Sequence, residues 1–177
     1  MRCRTIAMRV FRSGMVVVCL AGAAPALAQT KEEPRLGVGV AMIPSSDPFG
    51  IGVGAGVLLP IRDFKAGSIG VVGVGGYQRG SEGSAGEFGG GLRLTRALTQ
   101  KARVFLQGTV AFVKRRNFDD GDTRTGVAYS GGAGVSIAVT DRLHFLIEGD
   151  LGMLKEPDKK KVGLLFFGVS VPIGKRK

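Results

Sequence analysis

Between residues 35 and 173 the sequence contains eight runs in which apolar residues alternate with small or polar ones, each about nine to fourteen residues long. Alternation with a period of two is the pattern of a β-strand with one apolar face. A membrane can be crossed only by helices or by a closed sheet, because unpaired backbone groups in hydrocarbon are too costly, and spanning strands of ~10 residues match these runs. Eight such runs predict an all-β fold, an eight-stranded antiparallel up-and-down transmembrane β-barrel. The predicted strands are residues 35–43, 51–60, 68–78, 86–95, 102–114, 126–139, 143–154 and 162–173.

The connections between the runs alternate in length. Those before the even-numbered strands are mostly longer and polar, as in residues 44–50 and 115–125, whereas the turn Thr140-Asp141-Arg142 is short. Small barrels of this kind place both termini and the short turns in the periplasm and the longer loops outside the cell. The sequence therefore predicts one barrel domain over residues 29–177, with its long connections extracellular.

The first 28 residues have the three parts of a secretory signal peptide. Arginines at positions 2, 4, 9 and 12 form a basic start, and residues 14–28 carry no charge. The small residues Ala26 and Ala28 fit the two positions that signal peptidase reads, so cleavage is expected before Gln29. The sequence leaves open whether the chain starts at Met1 or at Met8. Both cysteines, at positions 3 and 19, fall inside this segment, so the mature chain would have no disulfide and no thiolate.

The chain is basic, with a formal net charge of +11 that falls to +7 once the four arginines of the signal peptide are removed. An exported chain meets no nucleic acid, so nucleic acid is excluded as the partner of this charge. The phosphates of lipopolysaccharide are the anions that an outer-membrane protein would meet. The sequence does not identify a specific surface partner.

Each run has two chemically different faces. In the fifth run Leu106 and Phe112 lie on one side, and Arg103 and Gln107 lie on the other. If the apolar face meets lipid, the charged side chains point into the lumen, where opposite charges are expected to pair because an unpaired buried charge is expensive. The predicted lumen charge network is Glu87, Arg93, Arg103, Glu148 and Asp150. An aromatic girdle near the extracellular ends is predicted from Tyr77, Phe88, Phe112 and Tyr129. The predicted basic extracellular loops contain Lys114, Arg115, Arg116, Lys155, Lys159, Lys160 and Lys161.

The same alternation is compatible with a soluble barrel, in which the apolar face would be the core. Three features favour the membrane. The polar faces are rich in small residues such as Gly132, Gly134 and Ser136, which suit the interior of a narrow barrel, whereas solvent-facing strand positions usually carry larger polar residues. The charges predicted for the lumen nearly balance, and the four aromatic residues of the predicted girdle lie on the apolar faces near the same end. A soluble periplasmic calycin-like barrel that binds an apolar ligand stays open as the alternative.

The eight runs, the cleavage site at Ala26-Leu27-Ala28 and the last run, Leu164 to Val171, resemble the small outer-membrane β-barrels of Gram-negative bacteria. These include the membrane domain of outer membrane protein A and the opacity-type, porin-like barrels. The resemblance is architectural and covers the mature chain. It implies a place in the bacterial outer membrane, contact with outer-membrane lipid and lipopolysaccharide, and insertion by the barrel assembly machinery. Members commonly end on an aromatic residue, whereas this sequence ends on Lys177.

No arrangement of residues in the sequence predicts catalysis, a cofactor or a metal. Enzymatic barrels of this class need a histidine close to a serine nucleophile, and the single histidine, His144, is followed by Phe145 and Leu146. The glycine runs at residues 70–76 and 89–91 are not followed by the helix that a phosphate-binding loop needs. The aspartates at 119, 120 and 122 lack the ligand spacing of a calcium loop.

We therefore expect a non-enzymatic barrel with a structural or surface-interaction role in the cell envelope. A narrow pore is a further alternative. Eight strands leave an interior that side chains just fill, which ranks conduction below interaction.

Overall fold

The structure is a computed structural model that describes residues 32–43, 50–65, 67–81, 83–117, 119, 121–155 and 159–173. The predicted signal peptide, residues 1–28, lies outside these residues. Within the described ranges, no helix has the length and apolar character needed to cross a membrane. The strands are β1 (Arg35–Ile43), β2 (Gly50–Phe64), β3 (Gly67–Arg79), β4 (Gly83–Ala97), β5 (Ala102–Asn117), β6 (Thr123–Ala138), β7 (His144–Lys155) and β8 (Lys159–Pro172).

The eight strands form one closed antiparallel barrel. Each strand pairs with its neighbours in sequence, and β1 pairs with β8 from Arg35↔Pro172 to Met42↔Leu165, which closes the ring. The alternation of branched apolar residues with small ones suits the pleated, half-buried backbone of such a sheet. The prediction of an eight-stranded antiparallel up-and-down barrel is confirmed.

The strands are staggered around the ring. A row of registered neighbours that starts at Arg115 passes through every strand and returns to β5 at Phe105, ten residues earlier. With a rise of ~3.3 Å per residue and a strand spacing of ~4.8 Å, this stagger tilts the strands by roughly 40° from the barrel axis. Such a tilt is usual for a closed sheet of eight strands, and it brings inward side chains from different strands to one height.

The outer face of the barrel is a continuous apolar belt. Outward side chains are strongly exposed, for example Val53 (63%), Phe88 (67%) and Leu151 (78%). An exposed apolar surface of this extent marks contact with a membrane. The architecture is that of a transmembrane β-barrel whose predicted apolar faces point to lipid.

One end of the barrel carries the β1–β2, β3–β4, β5–β6 and β7–β8 connections, and we call it the long-loop end. The strands at this end extend further than the sequence predicted. β5 and β6 stay paired up to Arg116 and Thr123, and β7 and β8 stay paired up to Lys155 and Lys159. The prediction that the basic residues lie in loops is therefore wrong, because backbone pairing continues after the apolar alternation has ended. The residues concerned, all in paired strand positions, are Lys114, Arg115, Arg116, Lys155, Lys159, Lys160 and Lys161.

Two turns at the opposite, short-turn end each use a threonine. Oγ1 of Thr99 accepts hydrogen bonds from the backbone N–H groups of Lys101 (3.2 Å) and Ala102 (2.9 Å). Oγ1 of Thr140 accepts one from the backbone of Leu143 at 3.0 Å. These bonds satisfy backbone donors inside the turns and keep the hairpins tight. The predicted alternation of loop length is not kept, because extension of the strands shortens the β3–β4 and β7–β8 connections to three residues, whereas β6 and β7 are joined by five.

Candidate functional site

The lumen contains a hydrogen-bonded network centred on Arg93 of β4. Its Nη2 atom lies 3.2 Å from Oε2 of Glu148 on β7. Its Nε and Nη2 atoms donate to Oε1 of Gln107 on β5 at 2.9 and 2.5 Å, and Nε2 of Gln107 donates to Oε1 of Glu148. The guanidinium lies over the Phe105 ring, 3.9 Å from the ring centroid. Arg93 therefore reaches across the lumen and connects three strands.

A second ion pair lies at the short-turn end. Nη1 of Arg103 lies 3.5 Å from Oε1 of Glu32, whose Oε2 accepts a hydrogen bond from Oγ of Ser68. The sequence predicted partners for Arg103 on β4 or β7, but this partner precedes β1. Burial raises the pKa of Glu32 above its usual range, and the neighbouring Arg103 acts in the opposite direction.

Glu87 and Asp150 complete the set of charges predicted for the lumen. Both are half-buried and line the interior. Oδ1 of Asp150 is buried and has no hydrogen-bond partner among the described residues. Its carboxylate lies against Gly132 of β6, where a Cβ atom would overlap it. The five predicted charges therefore all face the lumen, and the ion pair found within the set joins Arg93 to Glu148.

His144 has a serine and an arginine as partners, an arrangement that the sequence analysis missed. Oγ of Ser136 lies 3.1 Å from Nδ1 of His144, and Nη2 of Arg35 lies 2.9 Å from Nε2. Guanidinium nitrogens only donate, so Nε2 is the acceptor and Nδ1 carries the proton. Nδ1 therefore donates to Ser136, whereas a catalytic histidine must accept the proton of its serine. The alternation of β6 and β7 already puts both residues on polar faces, and this signal could have revealed the pair.

The four residues of the predicted girdle lie on the outer face. Tyr77, Phe88, Phe112 and Tyr129 are 50–67% exposed, and each lies in the half of its strand nearer the long-loop end. Phe88 and Phe112 are registered neighbours on β4 and β5, with ring centroids 5.5 Å apart. This height is where the apolar belt gives way to polar residues, the position that aromatic side chains take at a membrane interface.

The basic residues at the end of β5 occupy both faces of the strand. Lys114 and Arg116 are exposed and share the outward face with Phe112. Arg115, between them, is half-buried and lines the lumen directly opposite Arg124 of β6. The charge at this rim is therefore divided between an outer set and an inner set.

The hairpin of β7 and β8 adds two outward basic residues. Lys155 is exposed and shares the outward face of β7 with Met153, and Lys161 is the exposed registered neighbour of Met153 on β8. We call the four outward residues the outer basic collar. They are Lys114, Arg116, Lys155 and Lys161.

An interior cavity of about 740 Å³ extends along the lumen. Its lining includes Arg115 at the long-loop end, the inward glycines Gly54 and Gly76 at mid-height, and Ser170 at the short-turn end. In the part of the chain that the structure describes, no three or more His, Cys, Asp or Glu side chains are grouped so as to hold a metal ion. The site is a lumen with a polar network, and its chemistry is that of ion pairs and hydrogen bonds.

Solved structures share this architecture. Neisserial surface protein A matches with a TM-score of 0.67 at 14% identity, over 82% of this chain and 100% of that one. Ail, the attachment invasion locus protein of Yersinia pestis, gives 0.55 at 16%, over 81% and 100%. The outer-membrane enzyme PagL gives 0.50 at 13%, over 80% and 100%. No protein-family model and no curated protein sequence matches the chain.

The chain has the fold of the small eight-stranded outer-membrane β-barrels. At identities of 13–16% the likeness concerns the fold. Proteins described as a surface protein, an attachment protein and an enzyme share it, so function has to be argued from the site.

Proposed function

We propose that this chain is a non-enzymatic integral protein of the bacterial outer membrane, with a structural or surface-interaction role in the cell envelope. The observation that carries the proposal is the continuous apolar belt, capped at one end by outward aromatic and basic side chains. Residues 1–28 would be removed as a signal peptide, and the barrel assembly machinery would insert residues 29–177. Fractionation of the host envelope tests the location. Recovery that requires detergent is expected, and release by osmotic shock would contradict it.

The outer basic collar stands where the phosphates of an outer leaflet would lie. Lys114 is two residues beyond Phe112 on the same face, or ~7 Å along the strand, so its ammonium rises from the aromatic zone toward the headgroups. Cations at this height attract phosphates, and salt weakens the attraction. We infer that lipopolysaccharide is the partner of the collar. A polyanion on this fold has a precedent, since Ail has been crystallised with the heparin analogue sucrose octasulfate (TM-score 0.58, 15% identity).

Two double variants distinguish an effect of the collar on lipopolysaccharide binding from an effect of net charge. Lys114→Gln with Arg116→Gln removes two outward charges, and Arg115→Gln with Arg124→Gln removes two inward charges as the matched control. With the protein in nanodiscs at low ionic strength, the outward pair should weaken lipopolysaccharide binding several-fold and the inward pair should leave it unchanged. Equal loss in both variants, or no loss in the outward pair, would contradict a role for the collar.

The position of the histidine–serine pair argues against catalysis on membrane lipid. Ser136 and His144 are 9% and 7% exposed inside the lumen, away from the outer face on which membrane lipid would lie. Because PagL shares the fold, the question needs a direct assay. Purified protein is expected to hydrolyse neither lipid A nor soluble esters. Hydrolysis that disappears in Ser136→Ala and persists in Ser130→Ala would contradict the proposal.

A narrow pore is the second candidate function, favoured by the cavity that extends from Arg115 to Ser170. Recordings of the unmodified protein in planar bilayers test it. A steady conductance would support a pore, and a lasting absence of conductance would favour a closed barrel.

A further inference from the structure

Polar residues at the short-turn end of the lumen are more deeply buried than those at the long-loop end. Ser68, Thr95 and His144 are 3%, 6% and 7% exposed, whereas the inward Gln78 and Asp150, nearer the long loops, are half-buried. A tube open at both ends would expose polar side chains at both mouths. The polar side chains at the short-turn mouth are therefore covered.

Glu32 supplies a part of this closure that does not belong to the sheet. It precedes β1, yet it is 6% exposed. Its carboxylate contacts Arg103 on β5, with 3.5 Å between Oε1 and Nη1, and Ser68 on β3. Because β1 and β5 lie on opposite sides of a ring of eight strands, the segment that carries Glu32 crosses the mouth. We call residues 32–34 the N-terminal arm.

The arm is fixed at its other end by the closing strand. The carbonyl oxygen of Pro34 accepts a hydrogen bond of 2.7 Å from the backbone N–H of Ile173, one step beyond the last pair of β1 and β8, Arg35↔Pro172. The arm is therefore held by backbone at β8 and by a carboxylate on the far side of the barrel. Contacts on both sides keep it across the opening.

We propose that the N-terminal arm is a strap that seals the short-turn mouth, with Glu32 as the stopper held by Arg103 and Ser68. Removal of the Glu32 carboxylate takes away the negative charge that lies near two cations of the same mouth, Arg35 and Arg103, and the arm loses its hold on the far wall. Passage through the barrel would require this strap to be displaced.

Cysteine accessibility tests the strap. Residues 29–177 contain no cysteine, so a single reporter in this segment gives a clear signal. Ser170→Cys places the reporter on an inward position at the short-turn mouth, where the serine is 6% exposed. In nanodiscs a membrane-impermeant maleimide should label it slowly when the arm is intact and at least tenfold faster in Glu32→Ala. Glu33→Ala removes the same charge from the half-buried neighbour on the arm, and it should accelerate labelling less than Glu32→Ala does.

Two further measurements keep the test decisive. A Ser130→Cys reporter, at a half-buried inward position, should react quickly with or without Glu32. Heat-modifiable gel migration should confirm that each variant barrel is folded. If Glu32→Ala does not fold, Glu32→Gln keeps the shape of the side chain and should give a smaller acceleration. Unchanged labelling of the Ser170→Cys reporter in the folded variant, or equal acceleration by Glu33→Ala, would overturn the proposal.

Discussion

Replacing Arg93 with methionine should lower the free energy of unfolding by about 3–5 kcal/mol. The side chains of Arg93 and Glu148 are 12% and 7% exposed, so bulk water does not solvate either end of the pair. Methionine keeps an unbranched chain but removes the ion pair, the two hydrogen bonds to Gln107 and the contact with the Phe105 ring. The main loss is that Glu148 would remain as a buried carboxylate without its cation.

The magnitude follows from the group left behind. An exposed ion pair contributes ~0–1 kcal/mol, whereas a buried pair broken from one side costs ~3–5 kcal/mol because a charge stays in a poorly solvated site. The double variant Arg93→Met with Glu148→Gln removes both members of the pair, so its cost should fall below the sum of the single costs by about 0.5–3 kcal/mol. Arg62→Met, at an exposed position near the short-turn end of β2, is the control and should stay within about 0.5 kcal/mol of the parent.

The chain has no tryptophan, so unfolding in urea is best followed by circular dichroism and by heat-modifiable gel migration, with the protein folded into lipid vesicles. Transition midpoints and slopes give the free energies. A loss below ~1 kcal/mol in Arg93→Met, or a double variant whose cost equals the sum of the single costs, would refute the reasoning. The network would then be a consequence of the barrel rather than a support for it.

Gly132→Ala should cost about 1–3 kcal/mol, because its Cβ would lie 2.8 Å from the carbonyl oxygen of Gly149. Gly131→Ala, on the outer face with its nearest non-neighbouring atom at 3.9 Å, should be nearly neutral in the same urea assay. Burial raises the pKa of Glu32 above 4.5, against the opposing effect of Arg103. Between pH 4.5 and the raised pKa, the folded state keeps a proton that the unfolded chain has released. The protonated Glu32 carboxyl therefore adds to the free energy of unfolding. This contribution is present below pH 4.5 and is lost as the pH rises through the raised pKa. Unfolding of Glu32→Gln should depend less on pH in that window, and an unchanged slope would contradict the assignment.

The fold could be predicted because every strand carries the same period-two signal, and that signal also fixes which side chains face inward. The alternation that puts Leu106 outside puts Gln107 inside, and it correctly placed Arg93 and Glu148 toward the lumen. Alternation does not show which inward side chains from different strands lie at the same height in the lumen. That depends on the stagger of the ring, which is a property of all eight strands together.

The residues that sequence reasoning missed or assigned to the wrong element lie where alternation is absent. Glu32 precedes the first strand, so no periodic neighbour indicates which way it points. Arg116 and Lys159 lie beyond the apolar part of their strands, where a run of charges has the composition of a loop although the backbone continues to pair. Ser136, the partner of His144, was missed for a different reason, because alternation does place both residues inward. The turn that joins β6 and β7 brings Ser136 within reach of His144 by local geometry alone.

Part of the excess of glycine is explained by packing around the inward Phe166. A Cβ atom at Gly39, Gly54 or Gly168 would lie 2.7, 3.1 or 2.7 Å from its ring carbons, so the ring rests on bare backbone of β1, β2 and β8. Pairing a large ring with glycines on neighbouring strands lets a narrow barrel hold aromatic side chains inside. Phe105 lies on the other side of the lumen under the guanidinium of the polar network. A Cβ atom at Gly134 of β6 would overlap the Phe105 ring, so both walls pack a ring on glycine. The ion pair of Arg93 and Glu148 adds to the second wall, and the cavity persists between the two.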